Sequence, residues 1–476
     1  MKSGKTITWD SFVEELGHLS RIAIPLLIAQ SAQMGTGVVD TVMAARYGEQ
    51  DLAAIAVGFN IWLPIYLLIL GTIFATATIV AQDYGAGRIK KIQDSLPQSL
   101  WLAVFLGLVL SPAAWFSGPV MDLLGLESTT KKLALEYTQM VALGLPATAI
   151  FQALRYHTQG LGVTQPFAVA AAIGFFLNIP LNYAFIFGEW GAPELGAKGC
   201  GIATAISMWL SVVMMVGYIA ISKRIRPYLP EWAPVSPNWL IIREILTIGM
   251  PMGLTFFLEV GVFSLIALLV ATWGDTAIAS HQIAFNIWDL FYIPMLAIGT
   301  AMSTRMGHAI GAGWTEGVHR ALLVGVLVSA LMGTLTTLLL LSFPEAIIAL
   351  YTDSEEIRPV ATRLIKLSAF FILIDAAQIV GSFTLRAFKE TKYPFIAMVI
   401  SYWLIALPLG WLFGLELAST PSDGAAGFWY ATIAGISVCA ALIAIRVRLL
   451  LRTLPDTELA FTPSSSSSNS DNQNAS

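Results

Sequence analysis

The chain has 476 residues, 56% hydrophobic and only 12% charged, with a mean hydropathy of +0.73 and a formal net charge of −4. Soluble domains carry about 25% charged residues, so this composition excludes an ordinary soluble protein and places the chain in a bilayer. Two cysteines, Cys200 and Cys439, exclude a disulfide scaffold and a cysteine metal site, and nothing in the charge pattern suggests nucleic-acid binding.

Residues 1–20 are polar and charged, lack the short apolar run of a signal peptide, and read as a cytoplasmic N-terminal segment. Apolar stretches long enough to cross a bilayer, about 20 residues, then recur along the chain. Six lie in an N-terminal lobe, residues 21–222, at 22–45, 52–80, 96–121, 133–154, 167–187 and 201–221. Residues 223–243 are basic and proline-rich (Pro227, Pro230, Pro234, Pro237) and read as a cytoplasmic linker. Six more fill a C-terminal lobe, residues 244–452, at 245–273, 278–302, 321–341, 360–384, 394–413 and 428–450. The remainder, 453–476, carries the run Ser464 to Ser468; it has too little apolar surface to offset ordering entropy and is expected to be a disordered cytoplasmic tail.

The two lobes repeat one another. Phe59-Asn60-Ile61-Trp62 returns as Phe285-Asn286-Ile287-Trp288, and Gly85-Ala86-Gly87 as Gly311-Ala312-Gly313, both at an offset of 226, with Pro25 and Pro251 in the same register. Further on the offset is 228, as for Pro166-Phe167 with Pro394-Phe395, Pro180 with Pro408 and Ala203-Thr204 with Ala431-Thr432. Six spans per half is an even number, so the repeat is parallel, about an axis along the membrane normal. The expected fold is an all-α polytopic membrane protein, with twelve transmembrane helices in two parallel-repeat six-helix lobes around a central cavity. With the N-terminus inside, the inner segments hold about eighteen Lys and Arg against seven outside, which puts both termini in the cytoplasm.

A carboxylate at the bilayer centre costs about 2.5–3.5 kcal/mol on insertion scales, so each one there needs a reason. Asp40 lies in the first span, Glu259 in the seventh, Asp375 in the tenth and Asp289 in the eighth. Ser368, Phe371, Asp375, Gln378 and Ser382 follow steps of three and four and share one helix face. Pro251, Thr255 and Glu259 stack likewise, as do Gln33, Gly37 and Asp40. Asn178 and Asn182 stand one turn apart with Pro180 between them. These stripes suit a wet, acidic interior in each lobe. The structural alternative is that each carboxylate is hydrogen-bonded to a neighbouring helix, with the asparagines as interhelical glue. The lysines and arginines fall at span ends and offer no obvious deep partner. His281 and His308 belong to no metal-ligand spacing.

The chain resembles the multidrug and toxic compound extrusion (MATE) transporters, in particular their NorM-like bacterial branch. The resemblance covers residues 10–455 and rests on several motifs together. These are Val39 to Ala44, Val80-Ala81-Gln82 with Gly85-Ala86-Gly87, Asn178 to Tyr183, Phe257-Leu258-Glu259, and Ser280 to Ala284. It implies two lobes around a cavity and export of organic cations in exchange for inward Na⁺ or H⁺. It places the cation site at Glu259 and Asp375, where Na⁺ could bind, and an N-lobe constellation at Asp40, Asn178, Asn182 and Thr204. Gln282 and Asp353 match positions of substrate or cation contact in some members, and Phe371, Thr204 and Asp289 are further candidates for substrate contact. Phe371 stands where some sodium-coupled members have tyrosine, and Asn182 where some proton-coupled relatives have aspartate; the two departures point in opposite directions on the ion.

The sequence reading is therefore a multidrug efflux antiporter of the bacterial inner membrane, monomeric, with small organic cations as partners and no cofactor beyond the coupling ion. A carboxylate out of water can hold H⁺, Na⁺ or an organic cation in turn, and no nucleotide-binding Gly-x-x-x-x-Gly-Lys-Ser/Thr loop supplies another source of energy. The rival is a flippase of lipid-linked saccharides, whose anionic cargo calls for deep Arg or Lys. Enzyme motifs such as His-Glu-x-x-His and Gly-x-Ser-x-Gly are missing from the sequence.

Overall fold

A computed structural model describes residues 9–123, 125–230 and 235–454. Residues 1–8 of the N-terminal segment, 231–234 of the linker and 455–476 of the serine-rich tail lie outside the described residues. The chain is helical almost throughout, with no strand among the described residues. The N-terminal lobe comprises α1 (Trp9–Tyr47), α2 (Glu49–Gly85), α3 (Ile89–Trp115), the short α4 (Gly118–Leu123), α5 (Ser128–Ala142), α6 (Leu145–Gly160), α7 (Gln165–Phe187) and α8 (Gly196–Ile221). The C-terminal lobe comprises α9 (Trp239–Ala271), α10 (Asp275–Gly311), α11 (Thr315–Ser342), the short α12 (Pro344–Ile348) and α13 (Ile357–Ala387). One further span, Lys392–Glu416, is assembled from α14 (Lys392–Met398) and α15 (Leu407–Trp411), each followed by a wide π-helical stretch, and α16 (Pro421–Leu451) closes the lobe.

Eleven of these helices, counting Lys392–Glu416 as one, are long and apolar enough to cross a membrane. The twelfth crossing is the fourth, and here the structure corrects the expected single span at 133–154. It is two helices, α5 and α6, broken at Leu143–Gly144. Pro146 is the reason: its ring excludes the carbonyl four residues back, at Ala142, from the helical ladder. That carbonyl instead accepts a hydrogen bond from Ser111 Oγ of α3 at 3.1 Å. Two other boundaries move. The third span ends at Trp115, with 118–123 a separate turn of helix, and α1 begins at Trp9, inside the expected N-terminal segment.

The repeated motifs are where the lobes meet. Gly85 of α2 and Gly311 of α10 face each other reciprocally. A β-carbon on Gly85 would lie 1.9 Å from the carbonyl oxygen of His308, and one on Gly311 would lie 1.9 Å from that of Gln82. Only glycine permits this approach of two backbones. Two residues on, Gly87 and Gly313 adopt φ of 67° and 68°, the left-handed conformation that ends each helix at minimal steric cost. Gly71 packs closely on Gly253 of α9 as well, where a β-carbon would lie 2.5 Å from the Gly253 Cα. Hydrogen bonds tie the same side: Gln82 Nε2 donates to the Ala387 carbonyl at 2.8 Å. Arg305 of α10 forks onto Glu15 of α1 through Nε and Nη2, both at 2.8 Å, with Glu15 almost fully buried.

The contacts fall off along the helices. Residues 71–81 of α2 and 297–304 of α10 are buried on every face, whereas 59–68 and 289–294 are only partly covered. The lobes thus converge on the side where α1 begins and α16 ends, and part toward the opposite side.

Candidate functional site: two acidic clusters, one in each lobe

In the N-terminal lobe, α1, α7 and α8 bring together Asp40, Asn178, Asn182 and Thr204. Asn178 and Asn182 are completely buried and Asp40 nearly so. Asn182 Nδ2 donates to Asp40 Oδ1 at 2.5 Å and to Asn178 Oδ1 at 2.8 Å, and Thr204 Oγ1 donates to Asp40 Oδ2 at 3.4 Å. Both carboxylate oxygens are therefore engaged from within the lobe. Asn178 Nδ2 and Asn182 Oδ1 are buried and make no hydrogen bond among the described residues, although Asn178 still acts on Asp40.

The C-terminal cluster is built differently. Asp375 of α13 is 5% exposed, and Trp288 Nε1 of α10 donates to its Oδ2 at 3.0 Å. Phe371, one turn earlier, stands edge-on to Trp288 and to Trp429, with ring centroids 5.8 Å and 6.1 Å apart. Glu259 of α9 is half-buried and makes no hydrogen bond among the described residues. Its charge acts on Asp375, on Tyr292 of α10 and on Tyr402 of the π-helical stretch 399–406. Widened turns of this kind recur at functional sites, and this one brings Tyr402 into the cluster, buried. Beside it lies a cavity of about 10 Å³, lined by Phe263, His281, Phe285, Trp288, Phe371 and Trp429 among others, room for one water at most.

Other expected positions are placed less centrally. Asp289 is half-buried next to Trp288 with no hydrogen bond among the described residues, and its charge reaches Tyr292. Gln282 lies on an exposed face of α10. Asp353 joins neither cluster: it sits in the loop before α13, fully exposed, paired with Arg358 at 3.0 Å. Gln378 and Ser382 share the Asp375 face and are hydrogen-bonded to each other at 3.2 Å.

Two of the arginines at span ends are nevertheless buried. Arg155 of α6 is buried with its guanidinium 3.8 Å above the centre of the Phe167 ring, and Arg386 of α13 is buried over Phe383 at 4.4 Å. Both follow a leucine just before a shared Pro-Phe, at 154–155 and 385–386, with three fewer residues intervening in the second half. That spacing change hid them from a fixed-offset comparison. Arg386 is the cation whose charge acts on Glu259, and neither arginine forms an ion pair among the described residues. Trp288, Tyr292 and Tyr402 were also not singled out from sequence. Trp288 closes the repeated Phe-Asn-Ile-Trp tetrapeptide, which carried the signal without revealing the hydrogen bond.

The model of the MatE family matches residues 25–184 and 251–412, once in each lobe. The chain belongs to the MatE family. It is 35% identical over 439 residues to the multidrug resistance protein MdtK of Edwardsiella ictaluri, covering 92% of this chain and 96% of that one. Among solved structures it is similar to the eukaryotic MATE transporter AtDTX14, with a TM-score of 0.84 at 19% identity, over 92% of this chain and 96% of that one. It is also similar to a multidrug resistance MATE family transporter of the MOP superfamily in an outward-facing conformation, with a TM-score of 0.83 at 21% identity, over 96% and 100% of the two chains. The chain is a multi-pass membrane transporter and not an enzyme, and its fold is the two-lobed, twelve-crossing one expected.

Proposed function

We propose that this transporter is a multidrug efflux antiporter of the bacterial inner membrane that exports organic cations in exchange for inward Na⁺ or H⁺, with both termini cytoplasmic. The observation that carries the site assignment is Glu259: a carboxylate in mid-helix, with no hydrogen bond among the described residues, within electrostatic reach of Asp375 and of a wall of aromatic rings. A carboxylate held this way is stabilised by whichever cation arrives. The coupling ion and the drug therefore exclude one another, which is what antiport requires.

In this reading the structure is outward-open, since the closed side carries the termini. Na⁺ or H⁺ entering from outside occupies Glu259 and Asp375 and displaces the drug. The lobes then rock, the ion leaves to the cytoplasm, and a new cationic, apolar molecule enters against the aromatic surfaces, where the ring faces attract its charge. Trp288 keeps Asp375 oriented throughout. Asp40, already hydrogen-bonded at both oxygens, with Asn178, Asn182 and Thr204, forms a second and weaker cation site; Gln282 and Asp289 lie where substrate would pass along α10. The protein functions as a monomer, because the two lobes of one chain complete the cavity. A lipid-linked anionic cargo has no matching cation in the clusters except Arg386, which sits over aromatic rings.

The test is in proteoliposomes loaded with ethidium. Inward Na⁺ and H⁺ gradients are imposed separately and efflux is followed. Efflux under one gradient is expected and names the ion. No efflux under either, from folded protein, would overturn the proposal.

A further inference from the structure

Away from both clusters, on the outer surface of the C-terminal lobe, α11 and α16 diverge over α13 and leave a crevice of about 490 Å³. Its floor is a stripe of mostly small side chains on one face of α13: Ala377, Val380, Gly381 and Thr384. Its walls are Leu322 and Val326 of α11 and Ala444, Val447 and Leu451 of α16. Cations stand at one end only. Arg448 and Arg452, one turn apart at the end of α16, line it together with His319 at the start of α11. Neither arginine has an anionic partner among the described residues, whereas nearby Arg446 and Arg320 are paired with Glu390 and Glu316.

An apolar slot with two arginines at one end that have no anionic partner among the described residues, at the level where helices end, has the chemistry of a site for a phospholipid laid lengthwise. From Ala444 to Arg452 a helix rises about 12 Å at about 1.5 Å per residue, enough for the first half of an acyl chain. The charge favours an anionic headgroup over a zwitterionic one, as basic pockets between transmembrane helices do. We propose that this crevice binds one anionic phospholipid, its phosphate between Arg448 and Arg452 and an acyl chain along the α13 stripe. Because the crevice borders α13, which carries Asp375, its occupant adjoins a helix of the coupling cluster without touching the cluster itself.

The test uses the full chain, delipidated in detergent, where binding does not depend on membrane orientation, ion coupling or transport. Phosphatidylglycerol, phosphatidylcholine and inorganic phosphate are titrated separately and adducts counted by native mass spectrometry. One phosphatidylglycerol is expected to bind at least tenfold more tightly than phosphatidylcholine, with no competition from inorganic phosphate. Arg448→Ala with Arg452→Ala should remove that preference. Val326→Trp with Ala444→Trp, which fill the slot and keep both arginines, should abolish the bound lipid. Equal affinity for the two lipids, displacement by inorganic phosphate, or a preference unchanged in the arginine variant would overturn the proposal. Thermal unfolding of each variant without lipid separates loss of the site from loss of the fold.

Discussion

The two lobes share a scaffold and differ in where they keep their charge. At the crossing of α2 and α10 the duplication is nearly perfect, with Gly85 facing His308 and Gly311 facing Gln82 at the same 1.9 Å. Trp62 and Tyr66 in α2 occupy the register of Trp288 and Tyr292 in α10. There the likeness stops. Trp62 stacks on Tyr66 at 4.8 Å and its indole nitrogen has no hydrogen-bond partner among the described residues, whereas Trp288 donates to Asp375. The register of Glu259 holds Gln33 in the first lobe, that of Asp40 holds Ile266 in the second, and those of Asn178 and Asn182 hold Ala406 and Gly410. Backbone contacts that let two lobes meet tolerate nothing larger than glycine, so both copies retain them. Cation chemistry needs only one good site, so the copies were free to diverge.

The difference also separates a self-satisfied carboxylate from an available one. Asp40 takes its hydrogen bonds from its own lobe. Glu259 takes none among the described residues, and in the function proposed above it is the group left available to a cation. If that contrast decides function, substitutions in the two lobes have unequal effects. Glu259→Gln keeps the shape and removes the charge, and coupled efflux should fall by about 100-fold, since the ion loses its anionic partner in a region of low dielectric. Drug binding and ion-driven flux measured on the same protein would check this. Gly311→Val would drive a side chain into the Gln82 carbonyl, which cannot yield. Closure on the terminal side should be disfavoured by about 3 kcal/mol, seen as a shift in distance between spin labels on the far ends of α2 and α10.

Smaller effects follow at the margins. Arg305→Ala leaves Glu15 buried without its partner and should destabilise the closed side by about 2 kcal/mol, read as faster alkylation of a cysteine placed beside Glu15. Asp353→Ala removes only a solvent-screened pair on a fully exposed carboxylate, and efflux should stay within about twofold. A large loss there would extend the C-terminal site to the loop before α13.

Much of this was legible in the sequence, and the limits have physical causes. Spans, lobes and the repeat follow from hydropathy and register. The break at Leu143–Gly144 did not, because an apolar run looks the same whether or not Pro146 interrupts its hydrogen bonds. The helix-face stripes placed Asp375 with Phe371 and Asn178 with Asn182, since those pairs are local. What was hidden is contact between distant helices: Trp288 on Asp375, Tyr402 turned inward by a π-helical stretch, and Arg386 laid over Phe383 instead of reaching water. Periodicity describes one helix at a time and says nothing of which neighbour its face meets.

The most direct test of the central claim sets Glu259→Gln beside Asp40→Asn in the same ethidium-loaded proteoliposomes, under whichever ion gradient drives the unmodified protein. Glu259→Gln is expected to abolish gradient-driven efflux while Asp40→Asn retains most of it. Loss in Asp40→Asn with efflux preserved in Glu259→Gln would contradict that claim and place coupling in the N-terminal lobe.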